Sequence, residues 1–316
     1  MDMKYAIAVD IGGTNIRAAL VAYNKDNGYT VKTKIKKPTG EDLLAVADNL
    51  IEQVYSKHTS DICGIGVAVA GIVNREGDKV LRSPNIPRIE NIDIRLEIKK
   101  HYKKCVVVAN DANAAAYGEK CSGAGMKYKN FVIFTLGTGI GGGIISGGKL
   151  LPVAAEIGHM SINASGEPCA CGNVGCLESY ASAKAIIGSA VSEIEKGTAS
   201  ILKEHYSGNF YKLTAEDIYK AALDGDSLAR TVLRTAGRNL GLGIANIINI
   251  FSPEAIILTG GLIGAWNIYV EAAVQEASRR ALKELFAGVN ILPSSLGDDA
   301  GIIGAAALVF KKSRGN

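Results

Sequence analysis

His159, Cys169, Cys171 and Cys176 bring an imidazole and three thiols into one short stretch of chain. Soft and borderline ligands at that density fit a tetrahedral Cys₃His zinc site, and the glycines among the cysteines let a loop wrap an ion. The bland alternative is three unliganded thiols near a histidine, and their crowding argues against it. No further ligand is obvious, so the ion would be structural. It would fix a loop bearing Glu156, His159 and Glu178, polar groups suited to a polyol. An imidazole that gives one nitrogen to zinc keeps the other for a hydroxyl.

Asn110-Asp111, with Asn113 close behind, follows the apolar run Cys105–Ala109. A carboxylate at a strand's C-terminal end can accept the proton of an alcohol and orient it for phosphoryl transfer. Asp and Asn also cap helices, and the dipeptide alone favours capping of a helix that starts at Ala112. On these residues both roles stay open. Three glycine turns accompany them. In Asp10-Ile11-Gly12-Gly13-Thr14-Asn15, successive amides of Gly12, Gly13 and Thr14 are expected to form a nest for anionic oxygens. Asp10 would hold Mg²⁺ through water, while Thr14 and Asn15 would donate to phosphate. Leu136–Gly143 repeats the design with Thr138 as the hydroxyl beside Gly139, and Gly260-Gly261 could clamp a base or ribose. Each turn is weak evidence by itself. Together they read as a nucleotide phosphate cradle that matches neither the P-loop nor the dinucleotide fingerprint.

Those residues need a scaffold, and the apolar pattern supplies one. Tyr5–Val9 and Ile16–Ala22 read as a hairpin, Leu43–Tyr55 as a helix, and Gly64–Val69 and Cys105–Ala109 as strands. Phe131–Leu136 is a further strand, with Ile144–Ile145 opening its return. Helical spacing covers Ala181–Glu195, Ala215–Asp224 and Leu228–Asn249, which Pro253 ends. Ala255–Leu258 is a strand and Gly301–Phe310 a closing helix. Strand, Gly/Thr turn, strand opens each half of the chain. The expectation is two similar α/β units facing across a cleft. The smaller would take 1–111 with 300–316, the larger 112–299 with the zinc loop and helical region, and tight crossings between them would allow hinge closure.

A chain of 316 residues suits two packed domains. The net charge of +4 is mild, and the basic stretches Lys32–Lys37 and Lys99–Lys104 read as solvated faces or helix ends rather than a nucleic-acid patch. The N-terminal residues lack the features of a signal peptide, and no apolar run approaches the ~20 residues that span a bilayer. The expectation is a cytoplasmic protein with no nucleic-acid or membrane partner. Cys63, Cys105 and Cys121 read as buried thiols without chemistry.

At these residues the chain resembles the ROK family of repressors, open reading frames and kinases. DIGGTNIRAAL at Asp10–Leu20 is similar to its phosphate motif, Glu156–His159 to its ExGH signature, and CACGNVGCLE at Cys169–Glu178 to its zinc motif. The resemblance runs from about Met3 to Phe310. It implies the two-domain actin-like ATPase (ribonuclease H-like) fold with an interdomain cleft, and an ATP-dependent hexose kinase. Asp111 would be the catalytic base rather than only a cap. Gly71, Asn85, Asn110, Glu156, His159 and Glu178 match sugar-binding positions. Asp10, Gly12, Gly13, Thr14, Thr138, Gly139, Gly260 and Gly261 match the nucleotide side, and His159, Cys169, Cys171 and Cys176 the zinc ligands. ATP with Mg²⁺ would phosphorylate a 6-hydroxyl. The Ser83-Pro84-Asn85 context looks more like the family's glucose kinases than its N-acetylmannosamine or fructose kinases, so glucose is the first expectation and N-acetylmannosamine the second. A sugar-sensing regulator is the rival class. Its family members carry a helix-turn-helix ahead of this fold, and few residues precede the first strand here. Family members also imply a homo-oligomer, dimer or tetramer; the helices after residue 180 offer apolar faces, which would serve an internal core equally well.

Overall fold

The structure, a computed structural model, describes residues 3–56, 62–74, 76–84, 86–206 and 208–314. In chain order the first elements are β1 (Lys4–Ile11), β2 (Asn15–Asn24), β3 (Gly28–Pro38), α1 (Leu43–Tyr55), β4 (Ile62–Val69), β5 (Ile72–Val73), β6 (Val80–Arg82), α2 (Ile94–His101), β7 (Cys105–Asn110) and α3 (Asp111–Ser122). Then come β8 (Phe131–Leu136), β9 (Ile140–Ser146), β10 (Lys149–Leu150), α4 (Glu178–Ala181), α5 (Ala183–Glu195), α6 (Ile201–Tyr206), α7 (Ala215–Leu223) and α8 (Ser227–Phe251). β11 (Ala255–Thr259), α9 (Glu271–Arg280), α10 (Lys283–Phe286), β12 (Asn290–Pro293) and α11 (Ala300–Arg314) complete the chain. Among the described residues no helix is long and apolar enough to cross a membrane.

Two five-stranded sheets share one plan, β3-β2-β1-β4-β7 and β10-β9-β8-β11-β12. In the first, β1 runs antiparallel to β2 and parallel to β4, which is parallel to β7. The twice-used strand–turn–strand opening read from the sequence is therefore present, β1–β2 in one sheet and β8–β9 in the other. By contacts the chain forms two compact units: Met1–Ile133 with Gly143–Ala155 and Ser294–Asn316, and Phe134–Gly142 with Glu156–Pro293.

Alternation along β1 decides which helices cover the first sheet. Ile7, Val9 and Ile11 point to one face and join Leu50 and Ile51 of α1 and Ile94 and Ile98 of α2 in one core cluster. Ala6 and Ala8 point to the other, where they meet Ile302, Ala305, Ala306 and Val309 of α11. A period of two sorts large side chains from small ones. The small face lets α11 lie almost on the strand backbone: a Cβ added at Gly66 would stand 2.2 Å from the Ala305 carbonyl oxygen. α3 and α11 meet as closely, since a Cβ at Gly304 would fall 1.7 Å from the Ala114 oxygen and one at Gly118 2.1 Å from that of Ala300. Gly304→Ala is expected to cost about 3 kcal/mol, because overpacking here meets backbone that cannot swing away. The corresponding fall in the thermal midpoint, roughly 5–10 °C, is readable by calorimetry. An unchanged midpoint would mean that the seam opens without cost.

Several expectations need correction. The return strand β9 starts at Ile140, so Gly141–Gly143 belong to a strand and the turn is confined to residues 137–139. The helix expected over Ala181–Glu195 is broken at Ser182, whose hydroxyl caps α5 by accepting from the Ala185 N–H. Cys63, Cys105 and Cys121 are half-buried rather than buried. The helix after β7 starts at Asp111, and its cap is Asn110.

Candidate active site

The first glycine turn joins the ends of β1 and β2. Their register sets Asp10 opposite Arg17, and Arg17 directs Nε (3.0 Å) and Nη2 onto the same oxygen, Oδ2, of Asp10. Burial raises the Asp10 carboxyl above the usual carboxylate range, and the Arg17 charge works against that rise. Arg17 Nη1 also donates to the Asp298 carbonyl at 3.2 Å, tying the turn to the segment that enters α11. Gly12 and Gly13 are absent from the positive-φ positions, so the turn does not use glycine's left-handed freedom. The expected nest is also smaller, because the Gly12 N–H is spent on the Asn15 carbonyl at 3.0 Å.

Asn110 ends β7 and does two things at once. Its Oδ1 accepts from the Asn113 N–H at 3.0 Å, capping α3, and its Nδ2 donates to the Gly71 carbonyl at 2.9 Å. An amide retains one donor hydrogen and one acceptor lone pair after those bonds. Asp111 is the first helical residue, half-buried, with Oδ1 accepting from the Ala112 N–H at 2.8 Å. Negative charge is favoured in a helix's first turn. Gly71 has φ +136°, and a Cβ there would stand 2.6 Å from the Arg82 oxygen. Ser83 is fully buried, donating from its hydroxyl to the Ala70 carbonyl at 2.6 Å and from its N–H to Glu90 Oε1 at 2.8 Å. Asp111, Asn110 and Gly71 therefore meet at the ends of β4 and β7. Asn85 lies outside the described residues.

The second unit holds the other group. His159 Nδ1 lies 3.7 Å from Cys169 Sγ, and Cys171 Sγ lies 3.7 Å from Cys176 Sγ; all four ligand atoms fall within 4.8 Å of one another. Zinc–sulfur bonds of about 2.3 Å at tetrahedral angles separate sulfurs by about 3.8 Å, so the cluster has the dimensions of a zinc site. Its electrostatics agree. Partial burial would raise the half-exposed Cys169, yet hydrogen bonds from the Cys171, Ser179 and Cys176 groups bring it down to about 7, while burial and the neighbouring sulfurs push Cys176 up to about 12. A cation held among the three sulfurs would favour their thiolate forms. With Nδ1 facing the sulfurs, His159 turns Nε2 towards Glu156 Oε2, 4.0 Å away. Burial raises the Glu156 carboxyl; the imidazole opposes the rise and Glu178 adds to it.

Glu178 opens α4 and sends Oε2 to the Ile140 N–H at 2.7 Å, just past the second glycine turn. That turn is also held by the Ala183 N–H, which donates to the Gly137 carbonyl at 2.9 Å. Gly260, with φ +99°, approaches so near to Leu136 that a Cβ would stand 2.3 Å from its oxygen, and Gly261 follows at once. Beside Thr138 lies a cavity of about 540 Å³, bounded by Ser182, Lys184 and Ile186 on one side and Ala236 and Asn239 on another. The structure thus brings Glu156, His159, Glu178, Thr138 and Gly139 together through the loop of the Cys₃His cluster. Two contacts escaped the sequence reading. The Asp10–Arg17 pair was available from hairpin symmetry, since the two residues face each other one step beyond the Ile11–Ile16 pair that closes the turn. The Glu178–Ile140 bond had no local signal.

The ROK family pattern matches residues 6–312. A glucokinase of Halalkalibacterium halodurans is 34% identical over 98% of this chain and 96% of its own length. A xylose repressor of Caldicellulosiruptor bescii is 31% identical over 98% of this chain and 79% of its own. The crystal structure of a ROK family glucokinase from Streptomyces griseus, in complex with glucose and AMPPNP, superposes with a TM-score of 0.82 at 31% identity, covering 97% of this chain and 99% of the other.

Proposed function

Because this chain belongs to the ROK family, we propose that it is an ATP-dependent hexose kinase acting on the 6-hydroxyl of glucose. The observation that carries the reading is the near-complete superposition on a glucokinase crystallised with glucose and AMPPNP, both chains being covered almost end to end. Asp111 would take the proton of the attacking hydroxyl, its position fixed by the Asn110 cap and the Ala112 N–H. Gly71, Asn110, Glu156, His159 and Glu178, with Asn85, would hold the sugar's hydroxyls. The phosphates would lie against the turns of Gly12, Gly13, Thr14 and Asn15 and of Thr138 and Gly139. The nucleoside would use the cavity beside Thr138 and the Gly260-Gly261 step. Mg²⁺ would be held through water by Asp10, whose pairing with Arg17 suits an outer position, and would neutralise phosphate charge. Zinc would be held by His159, Cys169, Cys171 and Cys176.

An assay of ADP release with Mg-ATP against glucose, mannose, N-acetylmannosamine, N-acetylglucosamine, fructose and allose tests this. Turnover led by glucose supports the whole reading. An N-acetylated sugar in front keeps the kinase and overturns the substrate. Silence across the panel from folded protein favours the sensing role that a xylose repressor relative keeps in view.

Gly71 offers a sharper check on the sugar side. Gly71→Ala must move the chain that presents its carbonyl to Asn110. A displacement of that kind is expected to lower kcat/KM for the sugar by about 10²-fold. Parental kinetics in the variant would remove Gly71 from the site.

A further inference from the structure

Glu178 stands two residues beyond Cys176 and is read above as a sugar ligand, yet the bond it makes is to the nucleotide side. Its Oε2 accepts from the Ile140 N–H at 2.7 Å, and a Cβ built on Gly139 would stand 2.3 Å from that same oxygen. The turn and the carboxylate are therefore fitted to each other. A side chain at residue 139 would have to push that carboxylate aside, and the amide after the turn is spent on it. We propose that Glu178 is a positioning residue for the nucleotide: its carboxylate pins the 137–140 turn, so that the Thr138 hydroxyl and the turn amides keep the geometry that receives phosphate oxygens. The same side chain then links the metal-centre loop to the phosphate turn. This rests on the proposal that the turn binds the nucleotide.

A charge-assisted bond from a backbone N–H is stronger than a neutral one, and losing it frees a glycine-rich turn to wander. Calorimetric titration with Mg-AMPPNP, in the absence of any sugar, is the decisive measurement, because a residue that touched sugar alone would leave that affinity unmoved. Glu178→Ala is expected to weaken AMPPNP by about 10-fold or more, and Glu178→Gln, which still offers a carbonyl to Ile140, to stay within about threefold of the parent. Gly139→Ala is expected to weaken AMPPNP by about 10-fold, and the double variant Gly139→Ala/Glu178→Ala to be no worse than Glu178→Ala alone.

Parental AMPPNP affinity in Glu178→Ala, with sugar affinity reduced, would overturn the proposal and leave Glu178 as a sugar ligand. Fully multiplying losses in the double variant would also overturn it, since the clash needs the carboxylate. If Glu178→Ala fails to fold, Gly139→Ala decides: loss of AMPPNP with sugar binding intact supports the proposal, and parental AMPPNP affinity overturns it. A parent protein that binds sugar but no AMPPNP would instead bring down the underlying nucleotide reading, a result visible before any variant is made.

Discussion

Asp111→Asn is expected to lower kcat by about 10²–10⁴-fold while changing sugar affinity by no more than about threefold. The substitution isolates chemistry from structure. Asparagine can still offer its carbonyl to the Ala112 N–H, the bond that Asp111 Oδ1 makes at 2.8 Å, and α3 keeps its cap because the cap is Asn110. What the amide cannot do is take a proton from an alcohol. Phosphoryl transfer depends heavily on positioning and charge, so some turnover should survive. Sugar binding by calorimetry and kcat by ADP release, measured on the same preparation, give the test. A kcat within a factor of about ten of the parent would remove Asp111 from its role as base.

Metal content carries the second large effect. Protein isolated without chelator is expected to contain about one zinc per chain. Cys176→Ser should lose it, since Cys176 is fully buried with its sulfur 3.7 Å from that of Cys171. Structural zinc can supply on the order of 10 kcal/mol of folding free energy in small modules. Here the ion would have a loop to hold rather than a whole domain. Backbone bonds do cross it, from Ile162 to Gly175, Gly175 to Glu167, Leu177 to Met160 and Cys169 to Asn173, but the stretch is largely exposed and has little apolar packing of its own. Stripping the metal should therefore open residues 159–177 to protease and lower the thermal midpoint. A metal-free protein with the parental midpoint and an uncut loop would end the metal-centre claim.

How much of this was legible depends on whether the cause is local. The Cys₃His cluster was readable because its ligands are close in sequence, and α1 and β8 because their apolar periodicity is unbroken. β3 was missed: Tyr29, Val31 and Ile35 do alternate with polar residues, but the exposed Lys32, Lys34, Lys36 and Lys37 of this edge strand made the stretch read as a solvated face. The break between α4 and α5 was missed because Ser182 interrupts a run whose apolar spacing continues on both sides. Asp111 was ambiguous for a reason the structure makes plain. Asn110 and Asp111 can each cap a helix, and only the backbone shows that Asn110 does so, leaving Asp111 in the first turn. Glu178 was harder still, because its partner at Ile140 is distant in sequence and is a backbone amide, which leaves no trace in residue type.

The close seam between α3 and α11 bears on how this chain can vary. Gly118 and Gly304 touch no candidate ligand group, yet even one methyl at either would meet backbone. Where side chains face each other, one large residue can be traded for a small one opposite; where carbonyl faces glycine, no partner change can make room. In a saturation library selected for growth, these positions would be as intolerant as Asp111. A map of intolerance alone would thus draw a second apparent active site along the seam of α3 and α11, and measured stability would be needed to tell the two apart.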